Sequence, residues 1–152
     1  MLLAFIVAAE FAGLVGMIFT TPNISTWYAT LSKPEFAPPN WVFGPVWITL
    51  YLMMGIAAYL VAEKGIDKKD ERFALTIFGF QLAINAIWSF AFFGLQSPLF
   101  GLMVIVLLWF SIVETILLFA NISKKAAWLL IPYLLWVTLA AFLNLEILLM
   151  NP

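Results

Sequence analysis

The chain has 152 residues, of which 65% are hydrophobic and 10% are charged, and its formal net charge is −1. This composition excludes an ordinary soluble domain, and the near-neutral charge gives no basis for a nucleic-acid partner. Cysteine and histidine are both absent, which excludes disulfides, thiolate nucleophiles, histidine general bases and histidine metal ligands.

Five apolar stretches, each about as long as a bilayer is thick, make up most of the sequence. A hydrocarbon core of about 30 Å needs roughly 20 apolar residues in a helix. The stretches are continuous apolar runs without strand-like alternation, which excludes a β-barrel. The sequence therefore predicts an all-α membrane protein, a single domain over 1–152, with five transmembrane helices at about 2–20, 41–62, 73–95, 99–120 and 126–150.

The first predicted helix has two different faces. One face carries small residues at a strict spacing of four, namely Ala4, Ala8, Ala12 and Gly16. Such a ladder lets another helix approach closely, so we expect this face to pack. Glu10 lies on the other face with Gly13 and Met17, where we expect it to line a cavity. Because no basic segment precedes the apolar run and Glu10 interrupts it, the helix is expected not to be a cleaved signal peptide.

The segment 21–40 is too polar and too rich in proline to span a membrane. Pro38 and Pro39 prevent a long helix here. Trp27 and Tyr28 are among the apolar residues that favour a structured segment over a solvated linker. We therefore expect a long structured loop between helices one and two that lies on the bundle as a cap.

Polar and aromatic residues recur at helical spacing in three of the other predicted helices. The stripes are Phe43, Trp47 and Tyr51 in helix two, Gln81, Asn85, Trp88 and Phe92 in helix three, and Trp128, Pro132, Trp136, Ala140 and Asn144 in helix five. Residues three or four apart share one face of a helix. Pro132, inside an apolar span, predicts a bend in helix five.

Basic residues are unequally distributed between the two ends of the predicted bundle. One end carries Lys64, Lys68, Lys69, Arg72, Lys124 and Lys125, whereas the other carries only Lys33. Basic residues accumulate on the cytoplasmic side of membrane proteins. We therefore expect an integral, multi-pass protein with its N-terminus in the cytoplasm and its C-terminus outside, in a prokaryotic cell membrane. In an organelle membrane, the alternative, the same rule would refer to the compartment from which the chain is inserted.

Several short motifs occur together along the chain. They are Trp27-Tyr28, Lys33-Pro34, Pro38-Pro39, Phe43, Trp47 and Tyr51, then Gln81, Asn85 and Trp88-Ser89, and finally Pro132-Tyr133, Trp136 and Leu143-Asn144. In this combination the chain resembles the TspO/MBR family, the tryptophan-rich sensory proteins and translocator proteins. The resemblance covers the whole chain and implies a five-helix bundle, often a homodimer, that binds porphyrins and other flat apolar ligands under the first loop.

The resemblance also implies which residues form the ligand site. They are Trp27, Tyr28, Pro38, Trp47, Tyr51, Gln81, Asn85, Trp88, Trp136 and Ala140. A tetrapyrrole is the implied ligand, with no obligatory cofactor and no metal. Lys33 is a candidate partner for its propionates, although a solvated loop lysine is the alternative. The buried amides of Gln81 and Asn85 suit either ligand binding or helix–helix hydrogen bonds.

Two further features bear on partners. Gly79 and Ala83 form a small-residue step in helix three, where the resemblance also places a dimer contact. Eukaryotic members carry a tyrosine and an arginine after the helix-five Leu-Asn pair, proposed to contact cholesterol. Here Leu143-Asn144 is followed by LEILLMNP, without a tyrosine or a basic residue. A sterol role therefore gains no support.

Three classes of function are open. The first is a membrane receptor or carrier for tetrapyrroles. The second is a light-dependent, porphyrin-degrading enzyme, which would need tryptophan radical chemistry because histidine and cysteine are absent. The third is a proton-coupled exporter of small molecules that uses Glu10. Carboxyls inside spans, here Glu10 and Glu114, are functional candidates, with a protonated and hydrogen-bonded carboxyl as the alternative.

Overall fold

The computed structural model describes all 152 residues, and its regular structure is entirely helical. The helices are α1 (Leu2–Ile24), α2 (Trp27–Thr30), α3 (Asn40–Ala62), α4 (Lys69–Ser89), α5 (Pro98–Ile122), α6 (Lys124–Leu129) and α7 (Ile131–Met150). A π-helical turn, Phe90–Gly94, continues α4. Five segments are long and apolar enough to cross a membrane: α1, α3, α4 with its π-helical turn, α5, and α6 with α7. The predicted bundle of five transmembrane helices is confirmed.

The first helix is longer than its apolar run predicts. α1 continues to Ile24 and includes Pro22, so the connecting loop begins at Ser25 and the expected boundary at residue 20 is wrong. Polar side chains stabilise this last part of the helix. Asn23 Nδ2 donates to the carbonyl four residues earlier at 2.8 Å, and Thr26 Oγ1 donates to the Pro22 carbonyl at 2.8 Å. These donors replace backbone N–H groups that a helix end lacks.

The fifth transmembrane segment is interrupted, as its proline predicts. α6 ends at Leu129, Leu130 lies between the two helices, and Pro132 is in the first turn of α7. In a first turn the missing N–H of proline leaves no hydrogen bond unmade. The Leu134 N–H then donates to the Leu130 carbonyl at 3.0 Å, which resumes the helical pattern.

The backbones of α1 and α3 come into direct contact at one glycine, Gly55. A Cβ atom on Gly55 of α3 would lie 2.6 Å from the Ile6 Cα and 3.0 Å from the Phe5 carbonyl oxygen of α1. Both neighbours are backbone atoms of α1, so they cannot move aside as a flexible side chain can. Only glycine therefore allows the two helices to approach this closely.

The packing face of α1 differs from the predicted ladder. Ala4 and Ala8 are exposed, whereas Ala9, Gly13 and Gly16 are buried. The expectation of a packing face at a strict spacing of four is wrong because each such step overshoots a full helical turn by about 40°. The ladder therefore winds around the helix, whereas the alternating steps of four and three between the buried residues keep to one face.

The segment 25–39 caps one end of the bundle, which we call the loop end. The Trp27 ring lies edge-on to Phe92, with centroids 5.4 Å apart. The Ser32 N–H donates to Asn151 Oδ1 at 3.0 Å, and Asn151 Nδ2 donates to the Ser32 carbonyl at 2.9 Å. These contacts fix the loop to the π-helical turn and to the residue that follows α7, so the prediction of a structured loop is confirmed.

Candidate ligand-binding site

A cavity of about 380 Å³ lies between α1 and α3, with α4 and its π-helical turn behind it. We call it the α1/α3 cavity. Its walls are formed by Glu10, Gly13, Leu14, Gly16, Met17, Thr20, Thr21 and Ile24 of α1, by Phe43, Gly44, Trp47, Ile48 and Tyr51 of α3, and by Asn85, Trp88, Ser89 and Phe93 behind them. Leu14, Met17 and Ile48 are exposed on the outer surface of the bundle. The cavity therefore opens sideways, towards the lipid.

The aromatic wall of the cavity begins with Trp47 and Tyr51 of α3. Their rings are stacked, with centroids 5.6 Å apart and an interplanar angle of 28°. Gly13 of α1 faces the Tyr51 ring so closely that a Cβ there would lie 2.6 Å from its Cδ2 atom. Trp136 of α7 stands behind Trp47, edge-on at 6.4 Å, and does not line the cavity. Because Tyr51 is buried between Gly13 and Trp47, the flat surface available to a ligand is that of Trp47, with Tyr51 supporting it.

A chain of hydrogen bonds runs from the cavity into the bundle. Tyr51 Oη donates to Asn85 Oδ1 at 2.9 Å, and Asn85 Nδ2 donates to Tyr133 Oη at 2.7 Å. Tyr133 Oη in turn donates to Gln81 Oε1 at 2.7 Å, and Gln81 Nε2 contacts the Met54 sulfur at 3.9 Å. Both amides therefore have partners on other helices. Asn85 also lines the cavity, whereas Gln81 does not.

The predicted loop residues lie behind the cavity wall. The Tyr28 ring contacts Phe43 at 6.3 Å and Phe93 at 5.8 Å between centroids, and both phenylalanines line the cavity. The Tyr28 hydroxyl is buried without a hydrogen-bond partner, as is the Trp136 indole N–H. Burial raises the pKa of Tyr28 to about 12, so this hydroxyl keeps its proton and remains a hydrogen-bond donor at neutral pH.

The ten residues of the predicted site divide into two sets. Four of them line the cavity together: Trp47, Tyr51, Asn85 and Trp88. The other six do not line it: Trp27, Tyr28, Pro38, Gln81, Trp136 and Ala140. Trp88 is held in place by its indole N–H, which donates to Asn144 Oδ1 at 3.2 Å. Pro38 is half-buried in the loop, and Ala140 is buried in α7.

Sequence reasoning identified part of the α1 side of the cavity. It placed Glu10, Gly13 and Met17 on one cavity-lining face, and all three line the cavity, but it did not extend that face to Leu14 or Thr21. From Glu10, steps of three and four reach Leu14, Met17 and Thr21, all of which line the cavity. The helical period starting at Glu10 was the signal that could have identified this wall.

Charge is distributed asymmetrically around the cavity. Glu10 is half-buried and is the only charged residue in its lining, and it makes no hydrogen bond or ion pair within the chain. Lys33, the only basic residue at the loop end, does not reach the cavity. Its Nζ donates to the carbonyls of Tyr28 at 2.8 Å and Leu31 at 3.1 Å, and lies 4.7 Å from the centroid of the Tyr28 ring.

Comparison with known proteins agrees with the fold and the motifs. The TspO/MBR family model matches residues 5–150. The tryptophan-rich protein TspO of Chlorobaculum tepidum is 49% identical over 140 residues, covering 92% of this chain and 89% of that protein. That of Archaeoglobus fulgidus is 45% identical over 150 residues, covering 99% and 96%. The human translocator protein is 36% identical over 143 residues, covering 93% and 85%. The chain is an integral, multi-pass membrane protein and belongs to the TspO/MBR family.

Proposed function

We propose that this protein is a membrane receptor or carrier for tetrapyrroles and other flat apolar molecules, and that the α1/α3 cavity is the binding site. The observation that carries the proposal is the stacked pair of Trp47 and Tyr51 on a cavity wall that is open to lipid. Aromatic faces of this kind bind flat π systems by stacking. The names of two relatives, translocator protein and tryptophan-rich sensory protein, refer to transport and sensing.

The size of the cavity limits how a tetrapyrrole binds. Its volume of about 380 Å³ lies at the lower end of the range for small-molecule sites, which is about 300–1,000 Å³. We expect one side of the macrocycle to enter between α1 and α3 while the other side remains at the cavity mouth. The propionates then point towards the loop end, because Glu10 would repel them at the other end of the cavity.

Titration of the purified protein with protoporphyrin tests this proposal. We expect Trp47→Ala to weaken binding by about tenfold or more, which corresponds to about 1.4 kcal/mol or more. The control is Trp128→Phe, because Trp128 is 72% exposed and does not line the cavity. Binding would be followed by the porphyrin absorbance spectrum, which is independent of the removed indole. Equal affinities of a folded Trp47→Ala protein and the control would place the ring elsewhere.

We also propose that two copies associate through α4. Gly79 and Ala83 are exposed on this helix, and a Cβ on Gly79 would meet no atom within 4 Å. Small residues on an exposed face of a span allow close helix–helix packing. We expect Ala83→Leu to shift the protein from dimer to monomer in detergent, measured by light scattering. An unchanged mass would argue against this interface.

For membrane orientation, we propose a cytoplasmic N-terminus and an external C-terminus, with the protein in a prokaryotic cell membrane. The support is the charge bias, because Lys64 in the connection between α3 and α4, and Lys124 and Lys125 at the start of α6, lie at the end of the bundle opposite the loop. A cysteine added after Pro152 should react with an impermeant maleimide in intact cells. Labelling only after lysis would reverse the orientation.

A further inference from the structure

Glu10 is a carboxyl inside a membrane span that has no partner in the protein. It lies eight residues after the start of α1, which is about 12 Å along the helix axis. Glu10 takes part in no side-chain hydrogen bond, and the one ion pair of the chain joins Lys68 to Glu71. Ionisable groups within a bilayer are costly, and those that are retained usually pair or mark the path of a ligand.

The cavity that Glu10 lines contains no positive charge to compensate it. Lys33 is engaged with backbone carbonyls in the loop, and the other basic residues lie at the opposite end of the bundle. Electrostatic interactions are stronger in a medium of low dielectric constant than in water. The lining therefore repels an anionic group placed near Glu10 and attracts a cationic one.

The aromatic wall favours the same sign of charge. Glu10 lies one helical turn before Gly13, at which α1 meets the Tyr51 ring, and Trp47 is stacked on that ring. The faces of tryptophan and tyrosine attract cations through their quadrupoles. A ligand with a flat apolar body and a positive group can thus stack on Trp47 and place its charge at Glu10.

We propose that the α1/α3 cavity binds lipophilic cations, with Glu10 as the counter-ion of an ammonium group carried by a flat apolar body. The sideways opening formed by Leu14, Met17 and Ile48 gives such a ligand access from the bilayer. The proposal goes beyond tetrapyrrole binding and does not depend on it, although both ligands would use the same aromatic wall.

Three probes that share one ring test the proposal on the full chain in a non-ionic detergent. They are 1-pyrenylmethyl-trimethylammonium, whose charge is independent of pH, neutral 1-pyrenemethanol and anionic 1-pyrenecarboxylate. Binding is measured by quenching of the protein's tryptophan fluorescence. We expect the ammonium probe to bind about tenfold or more tighter than the carboxylate probe, as an ion pair in a region of low dielectric constant requires.

Two substitutions identify the counter-ion. Glu10→Gln should abolish the preference for the ammonium probe and leave the affinity for pyrenemethanol within about twofold, which also reports that the cavity is intact. Glu10→Asp should retain the preference. The matched control is Glu114→Gln, because Glu114 is exposed on α5 and does not line the cavity. A preference for the ammonium probe that survives Glu10→Gln, or one that is lost in Glu114→Gln, would overturn the proposal.

The two proposals for the cavity can fail separately. If the ammonium preference holds but protoporphyrin does not bind, only the tetrapyrrole proposal fails. If protoporphyrin binds but the wild-type protein shows no preference among the three probes, only the cation proposal fails. Protoporphyrin carries propionates, so Glu10→Gln should leave its affinity unchanged or raise it, opposite to the effect on the ammonium probe.

Discussion

The two halves of the α1–α3 interface show opposite ways of joining two membrane helices. Near the start of α1, Gly55 brings the helix backbones into direct contact at Ile6. Towards the loop end, Trp47 and Phe43 lie on α3 and the helices enclose a cavity. Because lipid tails are as apolar as leucine, helices associate in a bilayer through close packing rather than through burial. The packed half therefore holds α1 in place, and the open half is free to accept a ligand.

Adding a side chain at Gly55, where α1 and α3 touch, should destabilise the protein more than any other change considered below. Gly55→Ala places a methyl group against α1 backbone atoms that cannot rotate away, and overpacking of this kind typically destabilises by about 1–3 kcal/mol. The matched control is Gly44→Ala on the same helix, in the cavity half, where a Cβ would meet nothing within 4 Å. There the better helix propensity of alanine should leave the protein as stable or slightly more stable.

Thermal unfolding in detergent measures this comparison directly. The melting temperature should fall for Gly55→Ala and hold or rise for Gly44→Ala. Equal changes at the two glycines would mean that the interface does not divide into a packed half and an open half.

Hydropathy was sufficient to identify the five spans, because it depends only on local composition. The break at Pro132 was also predictable, since a missing N–H acts on its own turn of helix. The packing face of α1 was not predictable from the sequence. It depends on where the Tyr51 ring and Ser89 approach Gly13 and Gly16 from distant parts of the chain, and spacing within one helix does not contain that information.

The location of the cavity was predictable only in part. The aromatic and amide residues of α3 and α4 followed from the motifs, and five of them line the cavity, namely Phe43, Trp47, Tyr51, Asn85 and Trp88. The resemblance implied a site under the loop, whereas the cavity opens between α1 and α3. The position of an opening depends on how two helices diverge, and that divergence results from long-range contacts such as those of Gly55. The cap formed by the loop therefore does not cover the cavity directly: Trp27 and Tyr28 lie behind the wall and contact Phe43 and Phe93, which line it.

Replacing the loop residues that support the cavity wall should have an intermediate effect, seen in the rate at which ligand leaves the cavity. Tyr28 supports Phe43 and Phe93 from behind, so replacing Trp27 and Tyr28 with serine should let the cavity wall move. We expect ligand release to accelerate by about tenfold, because most changes in affinity appear in the off-rate. Stopped-flow displacement of protoporphyrin measures this rate.

A loop that only connects α1 to α3 would behave differently in the same experiment. The double variant would then lose thermal stability by the same amount with and without ligand, and its off-rate would match the wild type. The control is Asn151→Ala, which removes the tie to Ser32 without touching the residues behind the wall. It should lower stability slightly and leave the off-rate unchanged.

We expect the smallest losses of stability when either tyrosine of the hydrogen-bonded chain, Tyr51 or Tyr133, is replaced by phenylalanine. Tyr51 donates one hydrogen bond, to Asn85, and lines the cavity, whereas Tyr133 bonds both Asn85 and Gln81 and lies behind it. A side-chain hydrogen bond between membrane helices contributes about 0.6 kcal/mol on average. Tyr51→Phe should therefore destabilise the free protein by roughly that amount, and Tyr133→Phe by about twice as much because two buried amides lose a partner.

The two tyrosine variants should also differ in how strongly bound ligand stabilises them. Phenylalanine keeps the ring on which Trp47 is stacked, so Tyr51→Phe should retain protoporphyrin affinity within about twofold. In Tyr133→Phe the freed amide belongs to Asn85, a residue that lines the cavity, so a polar group of bound protoporphyrin should offset part of the stability loss. Melting curves with and without ligand measure the difference. An identical ligand-induced shift in the two variants would mean that the chain joins the helices without any coupling to the cavity.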